Sequence, residues 1–149
     1  MANKVALMSI MTKHSKKIFD GTKKWEFRKI PPRIGTEDVL EIVVYSSKVE
    51  KAIVGKFKAG RILYCSFNEL MRITEYENDK EAVEWFSSYY KGKELCCAIE
   101  VQNPVKYKEP IKLNIVNNEI PTFRPPQNFI YINDVSELIV LISRYEQEE

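Results

Sequence analysis

The sequence has few of the residues that bind metal ions or activate nucleophiles: its 149 residues include one histidine and three cysteines. The cysteines form no CxxC pair, so a zinc site has too few ligands, and we expect no structural metal and no cofactor. A serine or cysteine triad requires a base, and His14 is the only imidazole. We expect His14 on an exposed helix surface, which argues against histidine-based nucleophilic catalysis.

Signatures of phosphate loops, hydrolases and membrane segments are missing as well. The sequence has no glycine-rich phosphate loop and no G-x-S-x-G nucleophile elbow. No apolar run reaches the roughly 18 residues that a membrane span needs. The N-terminal segment has a short apolar run and no small-residue cleavage site, unlike a signal peptide. We therefore expect a cytoplasmic protein with no membrane segment.

Charge is distributed unevenly along the chain, although the net charge is only +2. Residues 1–34 contain nine Lys or Arg against two acidic residues, whereas residues 134–149 contain five acidic residues against one arginine. A basic segment on a nearly neutral protein favours an anionic partner such as nucleic acid or nucleotide phosphate. The alternative is a solvated, lysine-rich surface without a ligand.

Apolar patterns predict strands and short helices without the regular βαβ alternation of a parallel sheet. Strands are predicted at 5–10, 24–29, 39–47, 51–66, 94–104, 106–113 and the end of the proline-rich segment 120–132. Helices are predicted at 12–21, 66–74, 79–92 and 134–145. This order predicts an α+β fold, with a small, mostly antiparallel barrel and flanking short helices. We expect one domain over residues 1–149, with its core at about 5–133.

Local signals mark the ends of these elements. Thr12, Ser66 and Asp79 are the predicted N-caps of the first three helices, and Glu69 completes a capping box with Ser66. Gly21 suits the left-handed position that ends the first helix. In the long strand 51–66, one of the two glycines, at 55 or 60, is expected to mark a bulge or bend.

The segment "GTKKWEFR" (21–28) combines a helix end with a charged strand. Alternation places Trp25 and Phe27 on one face and Lys24, Glu26 and Arg28 on the other. If the charged face meets solvent, Glu26 and Arg28 form an ordinary surface ion pair worth about 0.2–1 kcal/mol.

The same two residues have a second interpretation, in which their face lines a cleft. Arg28 then holds Glu26 ionised and oriented, and Glu26 accepts hydrogen bonds from a ligand amino group such as an exocyclic base amine. Lys23 or Lys24 meets a phosphate as a point charge. The spacing alone leaves both interpretations open.

The segment also matches, position for position, the G-x-K-x-x-E-x-R signature of the ASCH domain family through Gly21, Lys23, Glu26 and Arg28. "LMSI", "KKIFDG", "AIVGKF", "YYKGKELCCAIEV" and "PPQNFIYI" also resemble small ASCH proteins, and the resemblance covers about 5–133. It implies a PUA-like β-barrel with a cleft beside it, lined by the signature residues. It further implies RNA or nucleotide-like ligands and a role in RNA metabolism or transcription regulation.

One enzymatic branch of this family, the acetylcytidine amidohydrolases, resembles the chain at Gly21, Lys23 and Arg28. Those enzymes carry a threonine nucleophile where this chain has Glu26, and a carboxylate cannot replace an activated hydroxyl in acyl transfer. We therefore do not expect that activity. An alternative hydrolase on a modified nucleoside has Glu26 as a general base on water, with Lys23 polarising a carbonyl.

Further candidate ligand residues lie outside the signature. Ser9 ends the first strand, Gln127 offers a donor and an acceptor to a base edge, and Phe129 or Tyr131 can stack on a base. The alternative for the two rings is core packing on alternate sides of a strand. The candidate nucleic-acid face consists of four lysines: Lys13, Lys16, Lys17 and Lys24.

Two neighbouring tyrosines, Tyr89 and Tyr90, are expected to pack a helix end rather than to bind ligand. A third functional hypothesis is a protein-interaction module that uses the acidic helices of residues 66–92.

Overall fold

The structure is a computed structural model that describes residues 3–33, 38–132 and 136–146. The described residues form six strands and five helices. The strands are β1 (Asn3–Met11), β2 (Trp25–Arg28), β3 (Val39–Ser47), β4 (Ala52–Cys65), β5 (Cys96–Lys112) and β6 (Phe129–Tyr131). The helices are α1 (Thr12–Phe19), α2 (Phe67–Ile73), α3 (Lys80–Tyr89), α4 (Leu113–Glu119) and α5 (Ser136–Glu146).

The strands form one sheet in the order β2-β5-β4-β3-β1-β6. β1 runs parallel to β3, and the pairs β1–β6, β2–β5 and β3–β4 are antiparallel. The predicted α+β class and the mostly antiparallel pairing are therefore confirmed. The chain divides into two compact units, the first at 1–23, 34–59 and 101–149 and the second at 24–33 and 60–100.

The first unit is built on β1, β3 and β6. Ala6, Leu7 and Met8 of β1 are all fully buried, so both faces of this strand are covered. One core cluster joins Leu7 to residues of α4 and α5 such as Val116, Leu138 and Leu141. The apolar run of β1 thus forms a strand because both of its faces exclude water.

A glycine marks the irregularity in β4, as predicted. The register between β3 and β4 shifts directly after the pair of Val44 and Gly55. A Cβ atom at Gly55 would lie 2.4 Å from the Val105 carbonyl oxygen and 2.7 Å from the Phe19 ring. Gly55 is therefore required by the close approach of β5 and α1.

The predicted N-cap of α1 is wrong, and those of α2 and α3 are confirmed. The Ser66 hydroxyl accepts from the Glu69 amide and the Asp79 carboxylate accepts from the Ala82 amide. The α1 N-cap is Met11, without a side-chain cap bond. Thr12 is instead the first residue of the helix, because its hydroxyl is hydrogen-bonded to the turn after β3 and does not cap α1.

Thr12, Ser15 and Ser46 form a buried hydroxyl cluster, and each of the three residues is at least 95% buried. The Thr12 hydroxyl donates to the Ser47 carbonyl at 2.8 Å and accepts from the Glu50 amide at 3.1 Å. The Ser15 and Ser46 hydroxyls are 2.7 Å apart, and Ser46 also donates to Glu50 Oε1 at 2.9 Å. The cluster fixes α1 to β3.

The core of the second unit is aromatic. Trp25 and Phe27 of β2 pack with Leu70 and Met71 of α2 and with Tyr90, which follows α3. Phe27 meets the Phe86 ring at a centroid distance of 4.2 Å. Trp25 and Phe27 thus share a face, as the alternation predicts.

The remaining predicted elements differ in detail. β5 is one strand where two were predicted, and Asn103, with φ 49°, sits as an irregularity inside it before Pro104. α4 was not predicted, since it has no side-chain cap and is held by the burial of Val116. His14 is half-buried rather than exposed.

The final helix is confirmed over Ser136–Glu146, and the predicted first two residues at 134–135 lie outside the described residues. Among the helices that the structure describes, none is long and apolar enough to cross a bilayer.

Candidate functional site

The charged face of β2 carries an ion pair. Arg28 Nη1 donates to Glu26 Oε2 at 3.0 Å, and the exposed fractions of the two side chains are 13% and 4%. The interpretation of this pair as an ordinary surface pair is therefore wrong. Its charges interact in a medium that screens them much less than bulk water does.

The register of β2 against β5 explains what surrounds the pair on its own face. Glu26 lies opposite Ile99 and Arg28 lies opposite Cys97, and directly opposed residues of paired strands share a face. Ile99 and Cys97 are fully buried. Burial raises the pKa of the Cys97 thiol to about 12, against the opposing influence of Arg28. Cys97 is therefore a neutral thiol at physiological pH.

Two tyrosines fix the strands that hold the pair. The Tyr89 hydroxyl donates to the Phe27 carbonyl of β2 at 3.2 Å, and the Tyr90 hydroxyl donates to the Cys97 carbonyl of β5 at 2.5 Å. Tyr90 is 3% exposed and packs the helix end, as expected. Burial raises the pKa of both phenols, and the Arg28 charge partly opposes the shift at Tyr89.

Tyr89 was expected, like Tyr90, to pack a helix end, but it also lies beside the charged pair. It lies within the electrostatic reach of Arg28 and Glu26 and carries the Lys29 ammonium 4.9 Å from its ring centroid. The sequence signal was the pair of tyrosines itself, but only the fold separates the buried Tyr90 from the half-buried Tyr89.

Lys23 belongs to the first unit, where it follows α1. Its amide donates to the Lys17 carbonyl at 3.0 Å, and its residue is half-buried. Gly21 ends the helix with φ 86°, as predicted. The role of Lys23 toward a ligand stays a prediction.

The structure brings Ser9 together with the proline-rich loop. The Ser9 hydroxyl donates to the Pro126 carbonyl at 2.5 Å, and the Ser9 amide donates to the Asn128 carbonyl at 3.0 Å. Gln127, between those two carbonyls, is exposed. Ser9 therefore orients the loop that presents Gln127.

Phe129 and Tyr131 lie on the same side of β6, because residues two apart in a strand share a face. Their rings meet edge to face at a centroid distance of 5.9 Å, and the Lys4 ammonium lies 5.9 Å from the Tyr131 ring centroid. Tyr131 is 37% exposed and Phe129 is half-buried. The alternative of core packing on alternate sides of the strand is wrong.

The basic helix α1 presents its lysines to solvent. Thr12, Ser15 and Ile18 form its buried side. The four lysines of the candidate nucleic-acid face are exposed: Lys13, Lys16, Lys17 and Lys24. Among the described residues, no group of three or more acidic, histidine or cysteine side chains is arranged to hold a metal ion.

Comparison with solved structures identifies the fold. The ASCH protein from Zymomonas mobilis is 23% identical, with a TM-score of 0.77 over 94% of each chain. A tyrosine-to-phenylalanine variant of the same protein gives a TM-score of 0.78 at 22% identity, over 94% of this chain and 97% of that chain. A serine-to-alanine variant gives 0.77 at 23% identity, over 94% and 95% of the two chains.

No protein-family model matches the sequence, and no curated protein matches it. The structural likeness covers nearly the whole chain. The chain therefore has the α+β fold of the solved ASCH structures, which confirms at the level of the fold the resemblance carried by Gly21, Lys23, Glu26 and Arg28.

Proposed function

We propose that the protein binds RNA or a nucleotide-like ligand, and that the Glu26–Arg28 pair recognises it. The observation that carries the proposal is the burial of this pair, whose side chains are 4% and 13% exposed. A buried ion pair contributes little to stability compared with apolar residues of similar volume. Its presence on a strand that is otherwise apolar is therefore better explained by recognition than by stability.

The chemistry of the pair fits the edge of a nucleobase. A carboxylate accepts hydrogen bonds from an exocyclic amine, such as N4 of cytosine, and a guanidinium donates to base acceptors or to phosphate. Arg28 holds the Glu26 carboxylate at 3.0 Å, so one acceptor is already oriented before a ligand arrives. Such preorganisation lowers the cost of binding.

Lysines supply the electrostatic part of the proposal. In this proposal Lys23, a residue of the ASCH signature, neutralises an anion. The four exposed lysines of the candidate nucleic-acid face contact phosphates in this proposal, so binding to RNA weakens with salt in proportion to the phosphates contacted. The biological setting is RNA metabolism or transcription regulation in the cytoplasm.

The first unit contributes a second set of proposed ligand residues. Ser9 orients the loop that carries Gln127, and the half-exposed rings of Phe129 and Tyr131 offer faces for base stacking. Substitution of Tyr131 by alanine tests this set separately, because it leaves the Glu26–Arg28 pair intact.

The experiment is a thermal-shift screen against nucleosides, modified nucleosides, nucleotides and short RNA at two salt concentrations. A ligand that binds only the folded state raises the melting temperature by mass action. Glu26→Gln keeps the shape of the side chain and removes its charge, so we expect binding about 10- to 150-fold weaker. Lys23→Ala tests the third signature residue in the same screen.

A matched control is available in the same unit. Glu100 pairs with Arg61 at 3.3 Å and lies opposite Trp25, on the other face of the same two strands. Glu100→Gln should leave ligand binding unchanged. If folded Glu26→Gln protein binds every ligand like the wild type, the pair is structural and the proposal fails. If the wild type turns over a nucleoside and Glu26→Gln abolishes that turnover, the function is hydrolysis rather than binding alone.

A further inference from the structure

An exposed tryptophan stands on the outer surface of α3. Trp85 is 53% exposed, and its indole is stacked on the Tyr89 ring one turn later, with centroids 5.3 Å apart and planes at 14°. Phe86 supports the indole edge at a centroid distance of 5.0 Å. The indole is thus held in place by two rings while more than half of its residue surface remains in water.

Tyr89 connects this stack to the strand of the candidate site. Its hydroxyl is hydrogen-bonded to the Phe27 carbonyl, between Glu26 and Arg28 in the chain, so its ring cannot turn freely. The exposed Lys29 holds its ammonium 4.9 Å from the same ring. A continuous aromatic surface therefore begins at β2 beside a cation and ends at Trp85 in solvent.

We infer that Trp85 and Tyr89 form a stacking platform for single-stranded RNA, on which a base covers the indole while a neighbouring phosphate meets Lys29. The inference rests on the proposed function, because it extends the ligand beyond the nucleotide at Glu26 and Arg28. Base–aromatic stacking accepts any base, since every base has a π-face. The platform thus supplies affinity for a strand without sequence preference.

The charged residues around the platform determine where the backbone of the bound RNA lies. Residues 24–33 contain four basic residues against one acidic residue. Glu81 and Glu84 lie near Trp85 on α3 and are exposed, so they repel phosphate on that side. The phosphate is therefore placed on the side of Lys29. The ring stacked against the indole carries an ammonium beside it, which favours an anionic strand over a basic peptide.

The first measurement is the fluorescence anisotropy of a short fluorescein-labelled oligouridine titrated with the full chain. Trp85→Ala should raise Kd roughly 5- to 150-fold, which corresponds to the loss of one stacked base. Trp85→Phe should retain part of the affinity. Tyr64→Ala is the matched control, because Tyr64 is a 51% exposed aromatic residue of β4 in the same unit.

Tryptophan emission gives a direct readout of stacking. The chain has two tryptophans, and Trp25 is 8% exposed. In a Trp25→Phe background Trp85 is the only tryptophan, and unlabelled oligouridine should quench its emission under excitation selective for tryptophan. The Kd obtained from the quenching titration should equal the Kd from the anisotropy titration. Circular dichroism confirms that each variant is folded.

The outcomes separate the two hypotheses. If Trp85→Ala binds oligouridine like the wild type while Glu26→Gln binds it more weakly, the platform is refuted and the proposed function stands. If the wild type binds no RNA and no nucleotide, both fail. If Trp85→Ala loses binding to an oligoarginine peptide but keeps binding to oligouridine, the platform serves a basic protein partner, and the inference is overturned.

Discussion

The two units each bury a polar group of side chains, and they do so with different chemistry. In the first unit, the hydroxyl cluster of Thr12, Ser15 and Ser46 is neutral and consists of short side chains that bond one another and the turn after β3. In the second unit, the buried group is the charged pair of Glu26 and Arg28. Hydroxyls lose little on burial once they are hydrogen-bonded, whereas ions lose several kcal/mol of solvation each.

The difference shows which buried polar group needs an explanation beyond the fold. The hydroxyl cluster has a structural role that its geometry accounts for, because it fixes α1 at the end of β3. The ion pair connects two residues of one short strand, and strand geometry already places those residues side by side. In our proposal, the pair serves to recognise a ligand.

The largest expected effect comes from breaking the ion pair. Arg28→Ala leaves the Glu26 carboxylate buried without this partner, so we expect the free energy of unfolding to fall by about 3–5 kcal/mol in urea denaturation. Arg61→Ala, which breaks the more exposed pair with Glu100, should cost no more than about 1 kcal/mol. If Arg28→Ala lowers the free energy of unfolding no more than Arg61→Ala does, the two ion pairs contribute equally to stability.

Replacing both charges sharpens the comparison. The double variant Glu26→Leu with Arg28→Leu should be as stable as the wild type or more stable by about 1–4 kcal/mol, because it removes two desolvated ions together. The same variant should bind no ligand of the wild type. A double variant that is strongly destabilised would contradict the claim that the pair exists for recognition.

An intermediate effect is expected in the hydroxyl cluster. Ser46→Ala removes the donor to Glu50 and the partner of Ser15, so we expect a loss of about 1–3 kcal/mol in thermal or urea unfolding. Ligand binding should not change, because the cluster is structural. The exposed Ser88→Ala is the control and should stay within about 0.5 kcal/mol. Weaker RNA binding by a folded Ser46→Ala protein would give this cluster a functional role as well.

The smallest effect at neutral pH concerns Cys97, beside the ion pair. Burial raises the pKa of its thiol from 9.0 to about 12. As pH rises above about 9, the unfolded chain loses this proton while the folded chain keeps it, so stability should fall between these two values. The decline should be shallower in Cys97→Ala, measured as the slope of unfolding free energy against pH. Equal slopes would show that Cys97 is not protected from ionisation.

Much of the fold could be predicted from local patterns. The alternation in β2, the caps Ser66 and Asp79 and the left-handed Gly21 each depend on residues within a few positions of one another, and each is confirmed. The first cap was missed because Thr12 is engaged by Ser47 and Glu50, which lie far away in the sequence. α4 was missed for a similar reason, since it is held by burial rather than by a capping side chain.

For the candidate site, the sequence by itself determined that Glu26 and Arg28 share a face of one strand, because side chains in a strand alternate with a period of two. It also supplied the signature that resembles the ASCH family. The tertiary structure alone decided that this face is buried opposite Ile99 and Cys97 and that Tyr89, rather than Tyr90, reaches solvent with Trp85. Burial depends on which distant strand and helix pack over a residue, and the periodicity of a short segment does not predict that packing.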